Sequence, residues 1–100
     1  MKVAIYGRSF DDSFSGYVQE LFDTLRKFEW GVTLYEPYSA YLTPRLNLQS
    51  DIELFNKHHE IKDDVDLMIS IGGDGTFLET IHFVKDSGIP ILGVNAGRLG

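Results

Sequence analysis

Short apolar runs alternate with helix-like patterns along this chain, and no other sequence feature constrains its fold as strongly. Four runs have the β-branched and aromatic composition that is typical of strands, at residues 2–6, 32–35, 67–71 and 89–94. Between them, apolar residues recur at the spacing of three and four that predicts an amphipathic helix. Strands that alternate with helices are joined by right-handed crossovers, which make the strands parallel. The sequence therefore predicts one α/β domain over residues 1–100, built on an open and mostly parallel sheet flanked by helices.

Two helices are predicted from this apolar spacing and from the residues at their ends. The first follows several candidate N-cap residues and stops before Gly31. Its candidate caps are Asp11, Asp12, Ser13 and Ser15, and its apolar positions, predicted to pack in the core, are Val18, Leu21, Phe22, Leu25 and Phe28. The second runs from Thr76 to Ser87, and Gly88 follows its end. Its apolar positions, predicted to pack in the core, are Phe77, Leu78, Ile81 and Val84.

The sequence places some strands more clearly than others. The run at 2–6 is ended by Gly7 and is predicted to lie near the centre of the sheet. The run at 67–71 is apolar at nearly every position, as expected of a strand buried on both faces. Pro37 closes the run at 32–35, because proline cannot donate to a ladder. Residues 38–64 indicate only short helical pieces around Pro44.

Charge and cysteine content exclude several classes of function. The formal net charge of −6 is opposite in sign to the surface that binds nucleic acid or an acidic membrane. The chain has no cysteine, which excludes disulfides, cysteine-based zinc sites and thiol nucleophiles. No apolar run approaches the length of a signal-peptide core or a membrane span. A cytoplasmic protein without nucleic-acid or membrane partners is therefore expected.

Chemistry in such a sheet is expected at the carboxyl ends of the strands, because the loops gather there. Three loops leave those ends with unusual composition: Gly-Arg-Ser at 7–9, Gly-Gly-Asp-Gly at 72–75 and Asn-Ala-Gly-Arg-Leu-Gly at 95–100. If the strands before them are neighbours, the three loops share one rim.

A single carboxylate, that of Asp74, stands among the three glycines of the second loop, and three roles for it can be compared. Asp-Gly is a common hairpin turn, but a hairpin needs alternating strands on both sides, whereas a helical pattern follows here. Glycines before a helix suit a phosphate loop, because backbone N–H groups can approach anionic oxygens. A carboxylate beside phosphate is unfavourable unless a metal ion or a hydroxyl proton lies between them. The pattern therefore favours magnesium binding or proton abstraction by Asp74.

Two familiar phosphate-binding motifs are excluded by the residues themselves. A Walker A loop requires Gly-Lys-Ser/Thr, and the chain contains no Gly-Lys pair. The dinucleotide motif requires a further glycine at position 78, which is Leu78. What remains is a glycine-aspartate loop of another kind.

The stretch Gly-Gly-Asp-Gly-Thr at 72–76 resembles the GGDGT signature of NAD kinases, diacylglycerol and sphingosine kinases and, slightly altered, 6-phosphofructokinases. Its continuation with Phe77 and Leu78, and the loop at 95–100, resemble specifically the GGDGTFL and NxGxLGF pair of NAD kinases. The start of the chain, KVAIYGRS, is similar to that family's first strand and loop. The resemblance implies a Rossmann-like N-terminal domain, which in the family is followed by a β-rich domain. A chain truncated before that domain, and inactive by itself, is therefore expected.

The resemblance also implies roles for individual residues. Asp74 matches the family's general base, which accepts the proton of the adenosine ribose 2′-hydroxyl of NAD as that oxygen attacks the γ-phosphoryl group of ATP. Gly75 matches a backbone contact to the dinucleotide, while Gly72, Gly73 and Thr76 match the loop near the phosphates. Arg98 occupies a variable position at which some members place a ligand-facing side chain. The implied enzyme is a homo-oligomeric NAD kinase that uses ATP or polyphosphate, with Mg²⁺ as cofactor and NADP as product.

Two other functions stay open from the residues alone. A lipid or sugar kinase shares GGDGT, although lipid kinases commonly continue with Asn-Glu where this chain has Phe77. A non-catalytic flavodoxin-like module would use the loop YGRSFDDSFSG for a cofactor phosphate, but its two adjacent aspartates make that loop a poor anion site. Arg8 is either a phosphate contact or an ordinary surface residue. His58 and His59 lack a third ligand at metal spacing, so they are interpreted as two solvated histidines and no metal ligand is assigned.

Overall fold

The computed structural model describes residues 1–61, 64–85 and 87–96, apart from the side chain of His58. Its strands are β1 (Lys2–Gly7), β2 (Gly31–Tyr35), β3 (Glu53–Phe55), β4 (Leu67–Gly72) and β5 (Ile91–Asn95). They form one five-stranded sheet in the order β3-β2-β1-β4-β5, and every pairing is parallel. The predicted α/β class and the central position of the first strand are confirmed. The last strand begins at Ile91 rather than at residue 89 and includes Asn95, which the sequence had placed in the following loop.

In the described residues, three helices flank this sheet: α1 (Ser15–Lys27), α2 (Glu36–Leu42) and α3 (Asp74–Val84). Short 3-10 turns lie at Asp12–Phe14 and His58–Glu60. Before the first turn, the Asp11 carboxylate accepts a hydrogen bond from the backbone N–H of Ser13 at 3.1 Å. Helix α1 buries Val18, Phe22 and Leu25 against the sheet, as predicted. Phe28 lies beyond the helix and is 62% exposed, so its assignment to the core was wrong.

The segment 38–64 is where the sequence prediction was least accurate. Pro37 lies in the first turn of α2, so it begins a helix as well as ending β2. Residues 53–55 form an edge strand paired with β2, instead of a helical piece. Phe55 of this strand is 1% exposed and packs against Phe83 with ring centroids 5.5 Å apart. Three residues are too few to show a strand period, and only pairing with β2 fixes their conformation.

Helix α3 differs from its prediction at both ends. It begins at Asp74 instead of Thr76, so Asp74 belongs to the helix's first turn and not to the preceding loop. It ends at Val84 instead of Ser87, because Lys85 adopts a positive φ of 44°. Gly88, with φ 83°, lies in the connection to β5.

The face that α3 turns toward the sheet also differs from the prediction. Its buried residues are Thr76, Thr80 and Val84. The apolar residues expected in the core are in large part exposed: Phe77 by 37%, Leu78 by 63% and Ile81 by 41%. The threonines face β4, where the Thr80 and Ser70 hydroxyl oxygens lie 2.9 Å apart. In the described part of the chain, no helix is long and apolar enough to cross a bilayer.

Candidate functional site

The predicted rim exists because the three strands that precede the unusual loops are neighbours. In the sheet, Gly7 is paired with Ile71, and Gly72 with Asn95. The backbone N–H of Arg8 donates to the Ile71 carbonyl at 3.1 Å. The chain leaves β1 toward β2 and leaves β4 toward β5, which makes the gap between β1 and β4 the switch point at which α/β sheets bind ligands. Residues 97–100, including Arg98, lie outside the described residues.

Gly72 is required by the geometry of the loop. Its φ is 151°, which side-chain-bearing residues rarely adopt, and a Cβ there would lie 2.5 Å from the Thr76 hydroxyl oxygen. Gly73 and Gly75 are different, because a Cβ on either would meet no atom within 4 Å. The space above these two glycines is open. Unlike Gly72, they are not required by packing against another residue, and they leave room for a ligand at the start of α3.

Asp74 is exposed at this point, in the first turn of α3. Its carboxylate makes no hydrogen bond or ion pair with any residue that the structure describes. The first bond of the helix runs from the Phe77 N–H to the Gly73 carbonyl at 3.1 Å, so the N–H groups before it have no acceptor within the helix. An available carboxylate thus lies beside backbone donors that attract anionic oxygens.

The donor set at this rim fits a cation shared with a ligand better than a cation held by protein alone. Among the described residues, no three His, Cys, Asp or Glu side chains are grouped closely enough to hold a metal ion. Mg²⁺ usually keeps several waters and is bound by one or two carboxylates together with substrate phosphates. Asp74 can supply one such carboxylate.

Arg8 and Glu79 form an ion pair that the sequence did not indicate. Arg8 Nε donates to Glu79 Oε1 at 3.0 Å, and Arg8 Nη2 contacts Glu79 Oε2. Arg8 lowers the pKa of Glu79, and the bond with Glu79 raises the pKa of Arg8. Burial raises the pKa of the neighbouring Tyr6 phenol. The pair ties the first rim loop to α3, but its partners are 71 positions apart and no local pattern could reveal it.

A second missed residue is Tyr38 of α2, which lines a cavity of about 200 Å³ beside the first rim loop. The lining residues are Gly7, Arg8, Ser9, Tyr35, Pro37, Tyr38 and Tyr41. Tyr38 is 2% exposed, and its hydroxyl has no hydrogen-bond partner among the described residues. An unsatisfied buried hydroxyl costs about 1–3 kcal/mol, so it needs an explanation. The tyrosine ring packs on Gly7, where a Cβ would lie 2.4 Å from ring Cε2.

Comparisons with known proteins agree with this architecture. The sequence profile of the family described as "ATP-NAD kinase N-terminal domain" matches residues 11–100. An NAD kinase of Flavobacterium psychrophilum is 38% identical over 100 residues, which cover 100% of this chain and 34% of that protein. An NAD kinase of Cytophaga hutchinsonii is 40% identical over 101 residues, with 100% and 34% covered. The chain thus spans about a third of the length of the curated relatives it matches.

Two solved structures share the fold. One is an NAD kinase from Archaeoglobus fulgidus in complex with ATP, with a TM-score of 0.57 and 27% identity, covering 100% of this chain and 30% of that one. The other is yeast NADH kinase complexed with NADH, with a TM-score of 0.65, 19% identity, and 100% and 32% covered. At 19% identity, the second likeness concerns the fold alone.

Proposed function

The chain belongs to the ATP-NAD kinase N-terminal domain family, and we propose that the full-length protein phosphorylates NAD at the adenosine ribose 2′-hydroxyl to give NADP. The phosphoryl donor is ATP or polyphosphate. The observation that carries this proposal is the position of Asp74, an exposed carboxylate at the start of α3 with open space over Gly73 and Gly75. The relatives named above are NAD kinases, and the archaeal one was solved with ATP.

In this proposal Asp74 is the general base. Its carboxylate accepts the proton of the 2′-hydroxyl while that oxygen forms a bond to the γ-phosphorus and the bond to the leaving ADP oxygen breaks. The N–H groups at the start of α3 bind phosphate oxygens, and the Gly75 backbone contacts the dinucleotide. Thr76 is 7% exposed and its side chain packs against Gly72, so its proposed contact with the phosphates is through its backbone. Arg98 stays a proposed ligand contact.

Mg²⁺ is the proposed cofactor, with Asp74 as the carboxylate that would hold it among the rim residues that the structure describes. When bound, the ion neutralises charge on the transferred phosphoryl group. Asp74 cannot give the same lone pair to a metal ion and to a proton, so a metal-binding role is the alternative to the general-base role. Exchange of Asp74 for asparagine distinguishes the two roles, because loss of a general base lowers turnover whereas loss of a metal ligand lowers the apparent affinity for Mg²⁺.

We further propose that these residues form the first domain of a two-domain protein, followed by a β-rich domain that completes the dinucleotide site. The relatives are about three times longer than this chain, which supports the proposal. An apolar groove of about 360 Å³ between α1 and β5 is available to be covered, lined in part by Phe14, Tyr17, Leu21, Ile71 and Val94. The 100-residue chain by itself is then inactive, because misplacing a substrate by about 1 Å can reduce the rate ~100-fold.

The full-length protein is also proposed to be a cytoplasmic homo-oligomer without nucleic-acid or membrane partners. The net charge of −6 supports the absence of nucleic-acid and membrane partners. The exposed apolar residues of α3 support association into an oligomer. Light scattering coupled to size-exclusion chromatography measures the oligomeric state directly. A monomer at micromolar concentration would contradict the oligomer.

The decisive experiment is an assay of the purified full-length protein with NAD, ATP and MgCl₂. NADP is measured with a dehydrogenase that accepts only NADP, and ADP is measured in parallel. Equal amounts of NADP and ADP are expected, with no NADP from the 100-residue chain alone. Failure to form NADP, together with ADP formation on diacylglycerol or a sugar, would instead assign the protein to another branch of the GGDGT kinases.

A further inference from the structure

We infer that the cavity beside the first rim loop binds phosphate oxygens of the phosphoryl donor, with Arg8 as the cation and the Tyr38 hydroxyl as a neutral donor. The inference deepens the proposed function and rests on it for the identity of the ligand. The cavity of about 200 Å³ is large enough for one or two phosphate groups, rather than for a whole nucleotide.

The cavity lies close to the proposed site of chemistry. It opens beside the loop at 7–9, which follows β1, the strand next to β4. The Arg8 N–H to Ile71 carbonyl bond of 3.1 Å joins that loop to β4, which ends at Gly72, two residues before Asp74 at the start of α3. A polyphosphate chain that starts at the beginning of α3 can therefore extend across the gap between β1 and β4 toward the cavity.

The charge of the cavity suits an anion. The chain has 15 Asp and Glu residues, yet none of the cavity's seven lining residues is acidic, and one of them is Arg8. The guanidinium uses Nε and Nη2 to bind Glu79, so Nη1 is not engaged by that carboxylate. Ser9 adds a hydroxyl donor at the exposed edge. Guanidinium and hydroxyl donors together are the groups that recognise phosphate in proteins.

Tyr38 supplies the observation that points to a ligand rather than to a surface depression. Its buried hydroxyl has no partner among the described residues, and its ring is fixed against Gly7 at the cavity wall. Burial raises the pKa of this phenol, so it keeps its proton and can only assist an anion as a donor. The hydroxyl is covered in the free protein. The inference therefore requires the exposed loop at 8–9 to move when a phosphate oxygen binds.

The test uses inorganic tripolyphosphate as the probe and the full-length protein without NAD. Tyr38→Phe removes only the hydroxyl and is expected to weaken tripolyphosphate binding about tenfold by calorimetry. Because the same change removes an unsatisfied buried group, the melting temperature of the free variant should rise or stay equal. Tyr17→Phe is the matched control, since it removes the same hydroxyl from a residue that lines the groove beside α1 and lies outside this cavity. It should bind tripolyphosphate as the unaltered protein does.

A second pair of variants tests the role of Arg8. Arg8→Gln and Glu79→Gln both break the same ion pair, so a purely structural pair predicts equal effects. A phosphate contact predicts opposite effects: Arg8→Gln weakens tripolyphosphate binding at least tenfold, whereas Glu79→Gln leaves it equal or stronger.

Unchanged affinity in Tyr38→Phe, or equal losses in the two ion-pair variants, would overturn the inference. Because the binding assay contains no NAD, its outcome is separate from that of the kinase assay. If the protein forms NADP but its tripolyphosphate binding does not change in the Tyr38 and Arg8 variants, only this inference is overturned. Sensitive binding without NADP formation removes the proposed function and leaves a phosphate site.

Discussion

Thr80 of α3 and Ser70 of β4 are in contact through their hydroxyl groups, with the two oxygens 2.9 Å apart and both residues buried. Thr80 Oγ1 also lies 2.7 Å from the Thr76 carbonyl. A hydroxyl has one proton, so Thr80 donates to the carbonyl and accepts from Ser70. This polar contact fixes how α3 lies on the sheet, and hence where Asp74 at its start is held.

Thr80→Val should destabilise the protein, because it leaves the buried Ser70 hydroxyl without its acceptor. The expected loss is about 1–3 kcal/mol in the free energy of unfolding, measured by denaturant titration. The double variant Thr80→Val with Ser70→Ala removes both partners and should recover most of that loss. If the double variant is as unstable as the sum of two single changes, the contact is not the source of the stability.

Gly72→Ala should destabilise the loop more strongly than alanine at the adjacent glycine. The new Cβ would meet the Thr76 hydroxyl at 2.5 Å in a backbone with φ 151°, which predicts a loss of about 2–3 kcal/mol. Gly73→Ala places its Cβ in open space and should leave the melting temperature nearly unchanged. If Gly73 is where phosphate oxygens approach, this stable variant should still lose turnover. Full activity of Gly73→Ala would argue against close approach there.

Asp74→Asn should reduce NADP formation by the full-length protein roughly 100-fold or more, the scale expected for loss of a general base. Asparagine has nearly the same size and tolerates the start of a helix, so the melting temperature should be unchanged. The Michaelis constant for NAD should change much less than the turnover number. A loss confined to the apparent affinity for Mg²⁺ or ATP would favour the metal-binding role, and an intact turnover number would contradict both roles.

The Arg8–Glu79 pair should make a small pH-dependent contribution to stability. Arg8 lowers the pKa of Glu79 below its usual 4.5, so the contribution is fully present above about pH 4.5 and is lost as pH falls through the lowered pKa. The two side chains are 59% and 42% exposed, so salt should weaken the effect. The stability difference between the unaltered protein and Glu79→Gln, followed by thermal melts from pH 7 to pH 3, should therefore shrink toward acid pH. A difference that is constant with pH would show that the pair contributes nothing.

The sequence by itself determined the fold class and the central strand. The short apolar run at 67–71, which ends at glycine, favours a strand buried inside a sheet, and the helical repeat after Gly75 excludes a hairpin at Asp74. The family was also contained in the sequence, because GGDGTFL and the loop from Asn95 are local motifs, and the family profile confirmed it. Such features depend on residues that are close together in the sequence, so they can be recognised without the tertiary structure.

Only the tertiary structure decided which face of α3 is buried, the existence of β3, and the contacts of Arg8 and Tyr38. The apolar spacing of α3 favoured Phe77 and Leu78 as core residues, yet the buried face is the one with Thr80, whose hydroxyl oxygen lies 2.9 Å from that of Ser70. The partners Arg8 and Glu79 are 71 residues apart, and Tyr38 meets Gly7 only because β1 and β2 are adjacent. Contacts between distant residues follow from strand order and helix placement, and these are set by the packing of the whole domain rather than by any local pattern.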